Sequence, residues 1–201
     1  MPCYEYGAME VDHLKMRDRQ LGAAIDRIGM IEMAVNPDLF SALVNSIVAQ
    51  QISAKAAHTV WNRLEGELGQ VTAGAVCAAR PEQIQKCGLS MRKASYIKGV
   101  GEAVQQGRLD IEALVRLTDE EVVAALSALP GVGVWTAEMM LIFSLRRPNV
   151  VSWGDLAIRR GMMNLYGLET LQRMDFEHYR ERYAPFGTVA SLYLWRLSHE
   201  Q

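Results

Sequence analysis

No apolar run in the chain approaches the roughly 18 residues that a membrane-spanning helix needs. The opening stretch, MPCYEYGAMEVDH, is acidic and has no apolar core of signal-peptide length, which predicts a protein that is not exported. Cysteine is scarce. Cys3, Cys77 and Cys87 have no metal-ligand spacing, and an odd count in an unexported chain predicts free thiols in a reducing compartment. With none beyond position 87, a cluster held by four C-terminal cysteines is excluded. Repeats, low-complexity tracts and Pro/Gly/Ser linkers are missing. So is the period-two alternation of a half-buried strand, since runs such as Val150-Val151 are too short to carry a sheet. His13, His58, His178 and His199 form no triad or metal pattern and read as surface or helix-packing residues.

What is present is a 201-residue chain, 50% hydrophobic and 22% charged, long enough to bury a core without staples. Its apolar residues recur at helical spacing. Asp38 or Pro37 opens a segment with Phe40, Leu43, Val44, Ile47 and Val48 on one face. Ser53 caps a second helix with Ala57, Val60, Trp61 and Leu64, which makes Gln50-Gln51-Ile52 a tight bend. Pro81 starts a short helix that stops near Gly88, and Ser90 caps the next. Thr118 with Glu121 forms a capping box for a helix expected to end at Leu129. Further helices start at Gly133, at Asp155 and at about Gly187, the last running to Leu197. The reading is all-α, about ten helices, with the weakest periodicity at the chain start and from Tyr166 to Asp175. The eleven methionines read as irregular core filler.

The formal net charge of −2 gives no global sign of a polyanionic partner, but its distribution is uneven. Residues 101–138 hold seven acids against Arg108 and Arg116. Residues 39–64 and 83–101 hold basic residues and no acid, and Arg146, Arg147, Arg159 and Arg160 face only Asp155 within 139–168. These are either ordinary solvated charges or one positive face that a polyphosphate would feel.

The most informative string is Leu129-Pro130-Gly131-Val132-Gly133-Val134-Trp135. Two glycines flank one apolar residue between two helical segments. Glycine admits a positive φ and a close backbone approach, and the second helix presents the positive end of its dipole at the turn. Such a terminus accepts a phosphate, although a plain helix–helix turn with a glycine C-cap uses the same residues.

With Ala49-Gln50-Gln51-Ile52-Ser53 upstream and Gly154-Asp155-Leu156 about twenty residues downstream, the chain from about Pro37 to Trp195 resembles the helix-hairpin-helix DNA glycosylase superfamily. More narrowly it resembles 3-methyladenine DNA glycosylase II and its shorter bacterial relatives, without the N-terminal β domain that some carry. The resemblance implies two helical lobes around a central cleft, one spanning roughly 37–145 and the other 1–36 plus 146–201. It implies that Gly131, Val132 and Gly133 bind DNA phosphate. The carbonyls of Ser127, Leu129 and Val132 would hold a monovalent cation there, with no cofactor required. Asp155 matches the catalytic acid, though an Asp at that place is also an ordinary N-cap.

In relatives that cleave the strand, a Lys stands two residues after the second hairpin glycine and forms a Schiff base. Trp135 stands there in this chain, which implies base removal by water alone. Gln51 is the candidate wedge that fills the gap left by a flipped nucleotide, or else a solvated turn residue. Trp135 and Trp195 are candidate walls of the base pocket, or else core, and Met139 stands where relatives often place a pocket Tyr. The implied activity is hydrolytic release of 3-methyladenine and 7-methylguanine from double-stranded DNA by a monomer in the bacterial cytoplasm. A glycosylase for deaminated or oxidised bases, and a non-catalytic damage-binding module, remain alternatives.

Overall fold

Side-chain caps set most of the helix starts. Asp38, Ser53, Thr72, Ser90 and Thr118 each accept the N–H three residues on, and Thr118 and Glu121 close the expected capping box. Each such cap contributes about 1 kcal/mol. In the computed structural model, which describes residues 2–200, helices run over Ala8–Arg17 (α1), Arg19–Ile28 (α2), Leu39–Ala49 (α3), Ala54–Leu68 (α4), Ala73–Ala78 (α5), Pro81–Lys86 (α6), Met91–Gln105 (α7), Asp119–Ser127 (α8), Val134–Phe143 (α9), Leu156–Tyr166 (α10), Arg173–Tyr183 (α11) and Gly187–Leu197 (α12). A 3-10 turn covers Glu112–Arg116. The fold is all-α. A single isolated bridge between Cys3 and Ala34 is the nearest approach to a strand among the described residues.

Among the described residues, twelve α-helices replace the expected ten or so. The additions include α1 and α2, and α11 occupies part of the weakly periodic region. Helix α8 ends at Ser127 rather than Leu129. The physical reason is Pro130, whose ring disfavours helical backbone at the residue before it.

The chain forms two compact units, one continuous over Asn36–Met140 and one assembled from Met1–Val35 and Leu141–Gln201. In the continuous unit, α7 packs on α3, α5 and α6. Leu43, Ile47, Leu64, Ile84, Ile97 and Leu126 are fully buried there. Gly101 lets α7 approach α5, since a Cβ at that position would lie 2.8 Å from the Val76 side chain. Lys98 reaches from α7 to the carbonyls of Cys77 and Ala79, past the C-terminal end of α5.

In the discontinuous unit, α10 packs on α12 and α1 packs on α2. Asp18 ends α1 and caps α2 by accepting the Leu21 N–H at 2.9 Å. Its second oxygen accepts the Tyr166 hydroxyl at 2.7 Å and an Arg182 N–H at 3.2 Å, and the Tyr166 and Tyr183 hydroxyls lie 2.8 Å apart. Burial, with Tyr183 and Asp18 beside it, pushes the Tyr166 phenol far above its ordinary range, and burial raises Tyr183 as well. In the unfolded chain both titrate near 10. Above that pH the unfolded state binds fewer protons than the folded one, so stability is retained below about pH 10 and falls as pH rises past it. The expected slope is about 1.4 kcal/mol per pH unit for each phenol held protonated. Urea midpoints measured from neutral to alkaline pH check this, and Tyr166→Phe should flatten the alkaline limb.

Candidate active site

The hairpin closes on main-chain bonds. Leu129 N–H donates to the Leu126 carbonyl at 3.1 Å, and Val132 N–H to the Leu129 carbonyl at 3.1 Å. Gly131 adopts φ +86°, and its Cα lies against the Tyr96 ring so closely that a Cβ would sit 2.2 Å from a ring carbon. Both the backbone angle and the space demand glycine here. Val132 is buried beneath the turn. Gly133 differs: a Cβ there would meet nothing within 4 Å, and the residue is exposed. The first intrahelical bond of α9 runs from Ala137 N–H to the Gly133 carbonyl at 3.0 Å. Val134 and Trp135 in the first turn are 55% and 45% exposed. The structure therefore presents an open helix N-terminus beside an uncrowded glycine, the geometry an anion needs to approach backbone N–H groups. Met139, further along α9, is buried.

The predicted bend at Gln50-Gln51-Ile52 belongs to the same unit. Gln51 holds φ +59° and is exposed, with Ile52 exposed beside it. Gln50 donates its amide to the Gly131 carbonyl at 2.8 Å. The bend and the hairpin, 81 residues apart in sequence, are thus joined directly. Lys93, on α7, donates to the carbonyls of Val48 and Gln50.

Asp155 lies in the other unit. It caps α10, with Oδ1 accepting the N–H groups of Ala157 and Ile158, each at 2.9 Å. It is only 7% exposed, although Leu156 next to it is 67% exposed. The strap before it is fastened to α12. Val150 N–H donates to the Thr188 hydroxyl at 3.1 Å, and the Ser191 hydroxyl donates to the Val150 carbonyl at 2.8 Å. Gly161 lets α10 lie on α12, since a Cβ there would be 1.9 Å from the Leu194 carbonyl oxygen. The next residue, Trp195, is half-buried and stacks on Phe143 with ring centroids 5.5 Å apart. Trp153, two residues before Asp155, packs edge-on against Phe176, and the guanidinium of Arg159 lies 4.7 Å from its ring centroid.

The structure thus brings Asp155 and Trp195 onto two packed helices of one unit, and Gln51, Trp135, Met139 and the hairpin into the other. Sequence reasoning passed over Gln50, Lys93 and Tyr96 as site residues. The available signal was the acid-free segment containing Lys93 and Tyr96, spaced i, i+3 on one helix face. No group of three or more His, Cys, Asp or Glu side chains suited to a metal ion exists among the described residues. Ser127 is the last residue of α8, at its negative end, and Leu129 and Val132 follow in the hairpin turn. Their main-chain carbonyls are uncharged oxygens, which suit an alkali cation, whereas divalent ions take carboxylates as well.

Residues 44–185 match the model of the HhH-GPD superfamily of base excision DNA repair proteins. A DNA-3-methyladenine glycosylase of Schizosaccharomyces pombe is 35% identical over 164 residues, covering 79% of this chain and 72% of that protein. A putative DNA-3-methyladenine glycosylase of Bacillus subtilis is 25% identical, and the match spans 88% of this chain but 64% of the relative. The crystal structure of a DNA-3-methyladenine glycosidase from Bacillus halodurans aligns with TM-score 0.88 at 35% identity, covering 100% of this chain and 94% of that one. The Schizosaccharomyces pombe 3-methyladenine DNA glycosylase in complex with abasic DNA aligns with TM-score 0.81 at 31% identity, covering 94% and 96%. The chain belongs to the HhH-GPD superfamily of base excision DNA repair proteins, in the branch whose members bear the name DNA-3-methyladenine glycosylase.

Proposed function

We propose that the protein is a monofunctional DNA glycosylase that hydrolyses the N-glycosidic bond of alkylated purines, 3-methyladenine and 7-methylguanine, in double-stranded DNA. The observation that carries this reading is Asp155, a nearly buried carboxylate fixed by its own cap at the start of α10 and backed by a strap bolted to α12. The relative solved with abasic DNA supports DNA as the partner.

A base within a duplex is out of reach, so the damaged nucleotide must be extruded. Gly131, Val132 and Gly133 grip the backbone through the N-terminus of α9, and Gln51 fills the gap. A monovalent cation at the carbonyls of Ser127, Leu129 and Val132 would supply positive charge beside that phosphate. Trp195, in the unit of Asp155, and Trp135, in the unit of the hairpin, are each read as an indole for stacking on an extruded base, and Met139 lies in the same helix as Trp135. A ring methylated at N3 or N7 carries positive charge, which an indole face attracts by roughly 0.5–2 kcal/mol. The bond from C1′ to the purine nitrogen breaks with its electron pair leaving on the base, which departs neutral without needing a proton. The sugar passes through an oxocarbenium-like state that the Asp155 carboxylate stabilises. Water adds at C1′, and its proton passes to Asp155 or to solvent. The products are a free base and an abasic site.

The test incubates the protein with methylated duplex DNA and assays free bases. Release of 3-methyladenine or 7-methylguanine, with a strand that stays intact and no borohydride-trapped adduct, is expected. Trapping would show lyase chemistry. Tight binding to abasic duplex without any release would leave the damage-binding module, and release of deaminated or oxidised bases alone would replace the substrate.

A further inference from the structure

The bend between α3 and α4 encloses a lysine to which the proposed chemistry gives no task. The Lys93 ammonium donates to the Val48 carbonyl at 2.8 Å and to the Gln50 carbonyl, and burial lowers its pKa. Both acceptors are main-chain oxygens at the C-terminal end of α3, the negative end of that helix. Without a cation there, this end of α3 would repel an approaching phosphate backbone. Immediately beyond it, Gln51 stands exposed in the left-handed region, which is costly for a residue with a Cβ unless its surroundings hold it there. The neighbouring Gln50 side chain donates to the Gly131 carbonyl of the hairpin at 2.8 Å. Tyr96, on the same face of α7 as Lys93, lies against the Cα of that same Gly131. One helix therefore holds the bend with Lys93 and backs the hairpin with Tyr96, while Gln50 joins bend to hairpin.

We propose that Lys93 is a positioning residue for entry into the duplex. It fixes the Gln50-Gln51 bend so that Gln51 projects rigidly, in register with the phosphate held at Gly131-Val132-Gly133. The proposal rests on the base-extruding reading above. A glutamine on an unsupported bend would fill the vacated stack only in a fraction of its conformations, whereas a clamped one is pre-organised for it.

The test uses the full chain and a duplex carrying a tetrahydrofuran abasic analogue next to 2-aminopurine, whose fluorescence reports on stacking. Binding of the wild type should change the fluorescence. Lys93→Met, which keeps length but loses every donor, and Gln51→Ala should each remove most of that change at saturating protein. The double variant should be no worse than Gln51→Ala, because residues acting through one another are not additive, and Lys93→Arg should retain much of the signal. On methylated substrates, Lys93→Met should lose roughly tenfold or more in base release from duplex DNA and little from single strands. A full fluorescence change in Lys93→Met, additive losses in the double variant, or equal loss on both substrates overturns the proposal. So does a wild type that binds with no fluorescence change. If Lys93→Met does not fold, Gln50→Leu, which cuts only the tie to Gly131, must show the same split between duplex and single strand. A wild type that releases no base defeats the proposed activity instead, and the fluorescence comparison still decides the role of Lys93.

Discussion

Asp155→Asn should reduce release of methylated bases by roughly a thousandfold while leaving the melting temperature nearly unchanged. The dissociation of the two effects follows from the cap. An asparagine oxygen accepts the Ala157 and Ile158 N–H groups as well as the Asp155 Oδ1 does, and Asn ranks with Asp as an N-cap residue. What Asn lacks is the negative charge. Removing a charge that stabilises a developing sugar cation, or that takes a proton from water, costs about 10²–10⁴ in rate. Asp155→Ala removes both functions and should add a stability loss of about 1 kcal/mol. Single-turnover base release and thermal unfolding on the two variants separate chemistry from capping. Full activity in Asp155→Asn would remove the proposed mechanism.

Gly161→Ala is expected to be the most damaging single-methyl change in the discontinuous unit. The new Cβ would stand 1.9 Å from the Leu194 carbonyl oxygen and 2.6 Å from its carbon. These are backbone atoms in the last turn of α12, so they cannot turn aside as a flexible side chain would. Helices α10 and α12 must separate by about 1 Å to restore contact distance. Overpacking of this kind costs about 3 kcal/mol, a large share of a typical total of about 5–15 kcal/mol. In a chain of this size that lowers the melting temperature by about 6–12 °C. The separation also moves Asp155, at the head of α10, away from the α12 backbone that carries Trp195, so base release should fall by more than the unfolded fraction explains. Gly66→Ala is the control. It lies inside α4 with nothing within 4 Å of a new Cβ and should stabilise by about 0.5–1 kcal/mol. Equal effects of the two substitutions would contradict the packing argument.

The elements that sequence reasoning located well are those specified by neighbours along the chain. Ser53, Ser90, Thr118 and Asp155 cap helices because each needs only an N–H two or three residues away. The last helix, Gly187–Leu197, was equally legible, since nine of its residues are buried and its apolar pattern is nearly unbroken. Helix α1 was obscured by its own surface, where Met9 and Met16 are 69% and 79% exposed and blur the apolar stripe. Helix α11 buries only Phe176 and Tyr183 among mostly charged residues, and Met174 is 84% exposed. At the site, Gly131 was readable because only glycine fits φ +86° against Tyr96. The part played by Lys93 was not, because its acceptors are carbonyls 43 and 45 residues upstream, and a carbonyl has no residue identity to read. The tie from Gln50 was likewise hidden, because its acceptor is the main-chain carbonyl of Gly131, 81 residues downstream.

The division of the chain has a consequence for biosynthesis. The unit that holds the hairpin is continuous from Asn36 to Met140, so a nascent chain can complete it while the remaining residues are still being translated. The unit that holds Asp155 takes its first helices from the beginning of the chain and α12 from near its end. Helix α10, which Asp155 caps, meets α12 only after residues through Leu197 have left the ribosome. Until then α1 and α2 have each other but wait for α10, α11 and α12, which makes this stretch the natural client of a chaperone during synthesis.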